Sequence, residues 1–191
     1  MKIIKWDQFL KKGLTRIIKE KKTSMTVGVF DGVHLGHQAL LKHIVSHNVQ
    51  YTPVVVTFRQ NHKTELNKNI LNFPRKLKKL KHNGIKIVIV IDFTEDFKKA
   101  PGIEFLKILL KQGNIGFFAA GSSFRCGYKL DTGAEEIKKF FAQQNIPAEI
   151  IQEVTEGSFP ISSSRIRAAI AKGDHQLAEK MLEQHQDKKT L

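Results

Sequence analysis

The sequence predicts an α/β domain built on a doubly wound parallel sheet of about five strands, with helices on both faces. Two observations carry this prediction. Short apolar runs rich in β-branched residues alternate along the chain with segments of helical periodicity, the pattern typical of repeated strand–helix–strand units. The run IVIVI at residues 87–91 is apolar at every position, as expected of a parallel strand that is buried on both faces.

The predicted elements follow one another in a regular order. Residues 1–24 are expected to form a leading strand and a short helix. Further strands are predicted at residues 25–30, 53–58, 85–91, 115–120 and 148–154. Helices are predicted between them at residues 35–46, 74–82, 101–111 and 133–144, and two closing helices at residues 165–171 and 175–184. Gly173 is a good terminator for the first closing helix, and Asp174 is a good N-cap for the second.

Length and composition favour one cytoplasmic domain. The chain has 191 residues, of which 41% are hydrophobic, and its single cysteine excludes an internal disulfide framework. No apolar run reaches the length of a membrane span, and the N-terminus lacks the features of a signal peptide. We therefore expect one domain at residues 1–185, a polar tail at residues 186–191, and no membrane association.

The net charge of +14 attracts polyanions or small phosphorylated substrates. The basic residues are spread along the chain and form no dense arm or aromatic-interleaved patch. A nucleic-acid-binding function therefore remains an alternative supported by charge alone, and no specific nucleic acid partner is expected.

The most informative segment is GVFDGVHLGH at residues 28–37. An apolar run ends there in a glycine-rich turn, and a helical pattern begins. This layout places backbone N–H groups and the positive end of a helix against a phosphate. Gly32 and Gly36 allow a phosphate to approach the backbone, and His34 and His37 share one helical face because they are three residues apart.

The second informative segment is ISSSRIR at residues 161–167. Three hydroxyl side chains open a helical stretch, and two arginines follow. Ser162 or Ser163 can cap this helix, whose free N–H groups can then hold a phosphate. The guanidinium of Arg167 can neutralise phosphate charge with a planar fork of donors.

Three more polar segments follow predicted strands, at residues 57–62, 92–94 and 121–127. In open parallel sheets, ligands bind beyond the carboxyl ends of the strands, where the strand order reverses. We therefore expect these segments to converge with residues 28–37 on one crevice.

Together the segments at residues 28–37, 121–127 and 161–167 resemble the signature of the HxGH nucleotidylyltransferases. They are most similar to the FAD synthetase module of prokaryotic bifunctional riboflavin kinase/FAD synthetases, and the resemblance spans roughly residues 25–185. It implies a Rossmann-like fold and transfer of AMP from ATP to FMN, giving FAD and pyrophosphate. It also implies Mg²⁺ that enters with ATP, no protein metal site and no riboflavin kinase domain, so that FMN comes from another enzyme.

The resemblance assigns roles to individual positions. The implied catalytic residues are His34, His37 and Arg167. The implied ATP-binding residues are Gly28, Val29, Phe30, Asp31, Gly32, Gly36, Ser162, Ser163 and Arg167. The implied flavin-binding residues are Asn61, His62, Ser123, Phe124 and Arg125.

The sequence departs from the family pattern at two places. In residues 121–127, Ser123 stands where the family has an acidic residue, and Cys126 stands where it has phenylalanine. In the segment after the predicted strand at residues 53–58, Asn61 stands at the family's histidine position, and His62 follows one residue late. These changes motivate an alternative, a catalytically weak homologue that binds nucleotide or flavin.

Another alternative is a different small nucleotidylyltransferase. Its acceptor would be pantetheine phosphate, nicotinate mononucleotide or glycerol phosphate, because the nucleotide half of the site would barely change. The residues present at positions 121–133 and 161–167 favour a flavin as the acceptor. The oligomeric state is not indicated by the sequence.

Overall fold

A computed structural model describes residues 1–18, 21–59, 69–92 and 94–182. In this part of the chain the strands are β1 (Lys2–Lys5), β2 (Lys22–Val27), β3 (Tyr51–Phe58), β4 (Ile87–Ile91), β5 (Ile115–Gly121), β6 (Arg125–Cys126), β7 (Thr132–Gly133), β8 (Ala148–Ile151), β9 (Thr155–Glu156) and β10 (Phe159–Pro160). The helices are α1 (Trp6–Lys12), α2 (Thr15–Ile18), α3 (Leu35–Ser46), α4 (Phe73–His82), α5 (Glu95–Lys99), α6 (Gly102–Gly113), α7 (Ala134–Ala142), α8 (Ser163–Ala171) and α9 (His175–Leu182).

The main sheet is six-stranded, parallel throughout, and ordered β1-β4-β3-β2-β5-β8. The predicted α/β class and parallel sheet are therefore confirmed. The leading strand expected in residues 1–24 joins the edge of the sheet beside β4, which makes the sheet one strand wider than the predicted core of about five.

Helices cover both faces of the sheet, as predicted. On one face, apolar side chains of α1, α6 and α7 pack against the strands in a cluster that includes Phe9, Phe105 and Phe141. On the other face, α3 and α4 supply Leu41, Leu80 and their neighbours. The wholly apolar β4 contributes alternate residues to both clusters, which accounts for its continuous hydrophobic run.

The predicted N-caps of the closing helices are confirmed, although α8 begins at Ser163 and not at residue 165. The Ser162 hydroxyl accepts a hydrogen bond from the Arg165 N–H at 3.2 Å, so Ser162 is the N-cap of α8. Asp174 Oδ1 accepts a hydrogen bond from the Leu177 N–H at 3.0 Å at the start of α9. Among the described residues, no helix has both the length and the apolar character needed to cross a membrane.

Some boundaries differ from the prediction. Strand β2 ends at Val27 instead of residue 30, because Phe30 has a left-handed backbone with φ of 52° that a strand cannot contain. Strand β8 ends at Ile151, and the chain then forms the β9–β10 hairpin. That hairpin, the β6–β7 pair and the one-turn helix α5 were not predicted, because such short elements carry no periodicity.

The strand order places a ligand site. From β2 the chain builds outward through β3 and β4 on one side, and it later adds β5 and β8 on the other side. Strands β2 and β5 are therefore neighbours at the point where the strand order reverses. A crevice is expected beyond their carboxyl ends.

Candidate active site

A cavity of about 390 Å³ lies beyond the carboxyl ends of β2 and β5. The turn after β2 forms one wall, the loop after β5 forms another, and the first turn of α8 closes a third side. The segments at residues 28–37 and 121–127 thus meet at one cavity, as the sequence predicted, and the segment at residues 161–167 joins them there. Of the other two segments expected at this crevice, residues 57–62 contribute Phe58 to the lining, and Asp92 and Thr94 do not line it. Residues 60–62 and 93 lie outside the described residues.

The turn after β2 has an unusual backbone. Phe30 and Val33 have positive φ angles of 52° and 45°, a conformation that is strained for any residue with a Cβ and especially for β-branched valine. Gly32 has φ of 84°, and a Cβ there would lie 3.1 Å from the Ile70 side chain and 3.2 Å from that of Leu182. Strain of this kind is concentrated at ligand sites in proteins.

Asp31 ties the two main motifs together. Its carboxylate is almost fully buried and accepts hydrogen bonds from Arg167 Nη1 at 2.7 Å and from the Ile70 N–H at 2.9 Å. Its backbone carbonyl accepts a hydrogen bond from the Ser163 hydroxyl at 2.9 Å. The turn after β2 and the start of α8 are therefore joined by an ion pair and a hydrogen bond.

The two arginines of α8 have different tasks. Arg167 lines the cavity, and besides Asp31 it contacts Ser164 Oγ at 3.3 Å through Nη2. Arg165 points to the β9–β10 hairpin instead, where it donates to the carbonyls of Phe159 at 2.8 Å and Glu156 at 3.0 Å. Of the two arginines, the cavity-lining one is thus the candidate for contact with an anionic ligand.

His37 lines the cavity, and His34 supports it from behind. The two rings stack with their centroids 3.7 Å apart, and the His37 backbone N–H donates to His34 Nδ1 at 3.4 Å. Because Nδ1 of His34 accepts this bond, its proton is assigned to Nε2 in the neutral ring. His37 Nδ1 is buried and has no hydrogen-bond partner within the described part of the chain.

Both histidines are neutral at pH 7. Burial lowers the pKa of His34 to about 4. The pKa of His37 is lowered well below its ordinary value, first by burial and then by the charges of His34 and Lys76. Each ring therefore offers one N–H donor and one acceptor, rather than a fixed positive charge.

The far end of the cavity is apolar and aromatic. Its lining there includes Phe58, Phe97, Phe105, Phe124 and Leu130. Two cationic side chains, Lys98 and Arg125, also line the cavity. The cavity thus has two walls. The aromatic wall consists of the residues just named, and the polar wall consists of the backbone of residues 28–31 with the side chains of His37, Ser162, Ser163, Ser164 and Arg167.

Cys126 lines the aromatic end as a thiol. Burial, with a smaller contribution from the Asp131 charge, raises its pKa to about 12. A thiol with this pKa is protonated at neutral pH and is a poor nucleophile. Cys126 therefore contributes to the shape of the cavity and not to its reactivity.

The loop after β5 is locked onto the start of α6. Asp131 Oδ1 accepts hydrogen bonds from the Gly102 N–H at 3.0 Å and from the Thr132 hydroxyl at 2.9 Å. Gly127 has φ of 83°, and a Cβ there would collide with Asp131 and with the Gly102 backbone. The glycine of the loop is therefore required by a close approach of two segments.

The structure places most of the predicted site residues around the cavity. Those that line it are Gly28, Val29, Phe30, Asp31, His37, Ser123, Phe124, Arg125, Ser162, Ser163 and Arg167. His34, Gly32 and Gly36 lie in the layer behind the lining, where a Cβ on Gly36 would lie 3.3 Å from the His34 ring. Asn61 and His62 lie outside the described residues, and the functional roles of all these residues stay predictions.

Sequence reasoning missed Lys76. Its side chain is 5% exposed, and Nζ donates to the carbonyls of Phe58 at 2.6 Å and Val29 at 3.0 Å, both of which belong to cavity-lining residues. A signal was present, because the apolar positions 73, 77 and 80 of α4 place residue 76 on the buried face of the helix.

The fold and the cavity define a Rossmann-like α/β domain with a ligand site at the reversal of strand order. Comparison with protein families makes this class specific. Residues 17–165 match the model of FAD synthetase, so the chain belongs to the FAD synthetase family.

Comparison with individual proteins supports the same family assignment. The chain is 30% identical to a bifunctional riboflavin kinase/FMN adenylyltransferase of Buchnera aphidicola subsp. Schizaphis graminum, over 95% of this chain and 59% of the relative. It is 27% identical to an FAD synthetase of Listeria monocytogenes, over 83% of this chain and 67% of the relative. The chain thus spans only somewhat more than half the length of the bifunctional relatives.

A solved structure shares the fold. The crystal structure titled macrolide-efflux protein from Streptococcus pneumoniae superposes with a TM-score of 0.79 at 28% identity, and the match covers 95% of this chain and 62% of that one. A match at this level agrees with the α/β fold described above.

Proposed function

We propose that this chain is an FMN adenylyltransferase that converts ATP and FMN into FAD and pyrophosphate. The observation that carries the proposal is the composition of a single cavity. One wall offers a strained turn, hydroxyl groups and an arginine, and the other offers aromatic side chains. A nucleoside triphosphate and a flat aromatic acceptor need this combination, and membership of the FAD synthetase family supports it.

The reaction needs little covalent help from the protein. A phosphate oxygen of FMN attacks the α-phosphorus of ATP, the bond from that phosphorus to the bridging oxygen breaks, and pyrophosphate leaves with the electron pair. Catalysis of such a transfer rests on holding the reactants in line and on stabilising the negative charge of the transition state.

The polar wall would bind ATP. The Ser162 and Ser163 region at the start of α8 offers backbone N–H groups, and Arg167 has further guanidinium N–H groups besides those bound to Asp31 and Ser164. We assign the β- and γ-phosphates to these groups. The backbone from Gly28 to Phe30 would line the nucleotide.

His37 would stabilise the transition state by hydrogen bonding. Because its pKa is lowered well below the ordinary value, it acts as a neutral donor and not as a cation. His34, which stacks on it and accepts its backbone N–H, would fix the ring's position. Of the two histidines, we assign contact with the reacting phosphate to His37, because it lines the cavity and His34 does not.

The aromatic wall would bind the flavin ring. Phe124 offers a face for stacking, and Ser123 and Arg125 offer donors to the polar edge of the ring. Asn61 and His62, which lie outside the described residues, remain proposed contacts of the flavin. The cavity volume of about 390 Å³ falls in the ordinary range for small-molecule sites.

We further propose that Mg²⁺ enters with ATP, held by phosphate oxygens and water. Among the described residues, no three His, Cys, Asp or Glu side chains form a metal-binding group. Within the described part of the cavity lining, Asp31 supplies the one carboxylate, and it already accepts hydrogen bonds from Arg167 and Ile70. A weakly held, largely hydrated ion fits this site, and Mg²⁺ commonly binds in this way.

We propose a cytoplasmic location, supported by composition. The single cysteine lies half-buried as a free thiol, which suits a reducing compartment.

The decisive experiment measures pyrophosphate release from ATP and Mg²⁺ with FMN, with the flavins separated by chromatography. We expect FAD to appear in step with pyrophosphate. Parallel reactions use CTP as donor and pantetheine phosphate, nicotinate mononucleotide or glycerol phosphate as acceptor. Turnover of one of these without FAD would overturn the proposal, and stabilisation by ATP or FMN without any turnover would leave a binding homologue.

A further inference from the structure

Lys76 is a buried ammonium at the base of the cavity. It lies on α4, and Nζ donates to the carbonyls of Phe58 at 2.6 Å and Val29 at 3.0 Å. Its third neighbour is the Thr57 hydroxyl at 3.5 Å, and that hydroxyl itself donates to the Val29 carbonyl at 3.0 Å. One side chain from a helix thus contacts the ends of two adjacent strands.

These carbonyls lie where the sheet ladder stops. The Gly28 N–H still donates to the Val56 carbonyl at 3.1 Å, one residue beyond the end of β2. The Phe58 carbonyl lies two residues further along β3. The chain after β2 has left the sheet there, because Phe30 has a left-handed backbone, and the Phe58 carbonyl accepts its hydrogen bond from Lys76 instead. Lys76 takes the place of a ladder donor at this level of the sheet.

The surroundings of Lys76 are charged and aromatic. Burial lowers the pKa of Lys76, and the negative charge of Asp31 partly opposes that effect. The Lys76 charge adds to the effect of burial and of His34 in lowering the pKa of His37. Nζ also lies 5.5 Å from the centre of the Phe73 ring, and the guanidinium of Arg59 lies 5.0 Å from the same ring. Lys76 is thus electrostatically linked to two of the proposed ATP-site residues.

We propose that Lys76 is a positioning residue, whose ammonium fastens the ends of β2 and β3 together and thereby sets the backbone of the ATP-binding turn. Its ammonium donates hydrogen bonds to the backbone carbonyls of Val29 and Phe58, and both of these residues line the cavity. Lys76 therefore acts on the backbone of the site and is not assigned a contact with substrate. The kinetic part of the test rests on the proposed function, and the structural part does not.

The charge of Lys76 is lost within an accessible pH range. Burial lowers its pKa from 10.5 to about 8, despite the opposing effect of Asp31. Above this pH the neutral amine has only two N–H groups and no charge, so its bonds to the carbonyls weaken. We therefore expect the affinity for ATP to fall as the pH rises through about 8.

The contribution of Lys76 to the stability of the fold has the opposite pH dependence. Between the folded pKa of about 8 and the unfolded value of 10.5, the unfolded chain binds the extra proton. This group therefore makes the folded state more stable as the pH rises through that window. Deprotonation of Lys76 is therefore expected to weaken ATP binding without unfolding the protein.

The first test needs no substrate. Hydrogen exchange at pH 7 is compared between the wild type, Lys76→Met and the control Lys78→Met, an exposed lysine on the same helix. We expect faster exchange in Lys76→Met in the peptides that contain residues 28–33 and 57–59, and unchanged exchange in β5. Unchanged exchange at both segments would overturn the proposal, whatever reaction the protein catalyses.

The second test measures kinetics across pH 7–9.5. In the wild type we expect kcat/KM for ATP to fall above pH 8, with KM for FMN unchanged. Lys76→Arg keeps its charge throughout, so its kcat/KM for ATP should lack this fall. Lys76→Met should lose about a hundredfold in kcat/KM for ATP at pH 7, the scale of a 1 Å misplacement.

The outcomes separate the two proposals. An alkaline fall in Lys76→Arg equal to that of the wild type overturns the role of Lys76, as does a wild-type profile that is flat to pH 9.5. If Lys76→Met does not fold, the Arg variant and the wild-type profile still decide. If no FAD forms at all, the proposed function fails, while hydrogen exchange and calorimetric ATP binding at pH 7 and 9.5 still test Lys76.

Discussion

The polar and aromatic walls of the cavity are built on different principles. The polar wall is held by hydrogen bonds between residues far apart in sequence, such as the Arg167–Asp31 pair, whose members are separated by 136 positions. The aromatic wall is formed by rings such as Phe97, which meets Phe58 and Phe105 edge-on, and by a loop with local hydrogen bonds. The geometry of the polar wall depends on directional hydrogen bonds, and that of the aromatic wall depends on the size and packing of its side chains.

This difference explains how each wall relates to the family pattern. A hydrogen bond between buried groups accepts few replacements, because the partner left behind is buried without a bond. The segments at residues 28–37 and 161–167 accordingly keep the residues on which the resemblance rests, with Ser164 where the family commonly has threonine. An apolar wall accepts another side chain of suitable size, and it is at this wall that Cys126 stands in place of an aromatic residue.

The largest expected effect tests the polar wall. His37→Ala should lower turnover by about a hundredfold or more, the scale for losing one transition-state hydrogen bond. The matched control is His43→Ala on the same helix, since His43 faces Glu149 at 2.8 Å and does not line the cavity. Steady-state kinetics with ATP and FMN checks this, and full activity of the His37 variant would remove that residue from the mechanism.

The second-largest expected effect is on the binding of ATP and not on the binding of FMN. Arg167→Ala should raise KM for ATP by about tenfold, equivalent to ~1.4 kcal/mol, while KM for FMN changes little. It should also lower the melting temperature, because the buried Asp31 carboxylate loses a partner.

Two variants sharpen this result. Arg165→Ala removes a neighbouring arginine that binds hairpin carbonyls, and it should leave KM for ATP nearly unchanged. Asp31→Asn combined with Arg167→Ala should recover part of the lost stability but not the ATP affinity. An unchanged KM for ATP in Arg167→Ala would contradict its assignment to the phosphates.

A smaller effect is expected at the aromatic wall. Phe124→Ala should raise KM for FMN by about fivefold, the equivalent of ~1 kcal/mol of ring contact, and leave KM for ATP unchanged. Phe159→Ala is the control, because this exposed phenylalanine lies on the β9–β10 hairpin outside the cavity lining. If Phe124→Ala changed KM for ATP instead, the two walls would not have separate ligands.

The smallest effect is on stability in acid. The pKa values of His34 and His37 are lower in the fold than the ordinary 6.5, so the unfolded chain binds protons first as the pH falls. Their contribution to stability is complete above pH 6.5 and is lost toward pH 4. His34→Asn keeps an N-cap for α3 and removes one titrating ring, so the dependence of unfolding free energy on pH over this range should become less steep.

Denaturant unfolding at several pH values measures that dependence. An unchanged dependence in His34→Asn would mean that His34 titrates normally in the fold. The polar wall would then contain a charged histidine at mildly acidic pH. The description of its histidines as neutral hydrogen-bonding groups would be wrong under those conditions.

Much of the fold was predictable because it rests on local patterns. Helix α3 begins and ends as predicted at residues 35 and 46, and the all-apolar β4 was recognised from five consecutive residues. The β9–β10 and β6–β7 pairs were missed, since two-residue strands depend on contacts that no window of sequence contains.

The candidate site likewise has features that the sequence predicted and features that it could not predict. The N-cap of α8, predicted at Ser162 or Ser163, is Ser162, and residues 121–127 meet residues 28–37 at the cavity, as expected. That Arg167 pairs with Asp31, and that His34 lies behind His37, could not be foreseen, because both depend on how α8 and α3 pack on the turn.

By itself the sequence determined the α/β class, the order of the main elements and the segments that carry the site, because hydrophobic periodicity, glycines and capping residues act over a few positions. Only the tertiary structure decided which side chains reach the cavity, which support it from behind, and that Lys76 fastens two strand ends. Those assignments depend on burial and on hydrogen bonds across distant segments, and such contacts exist only once the sheet and its helices have packed.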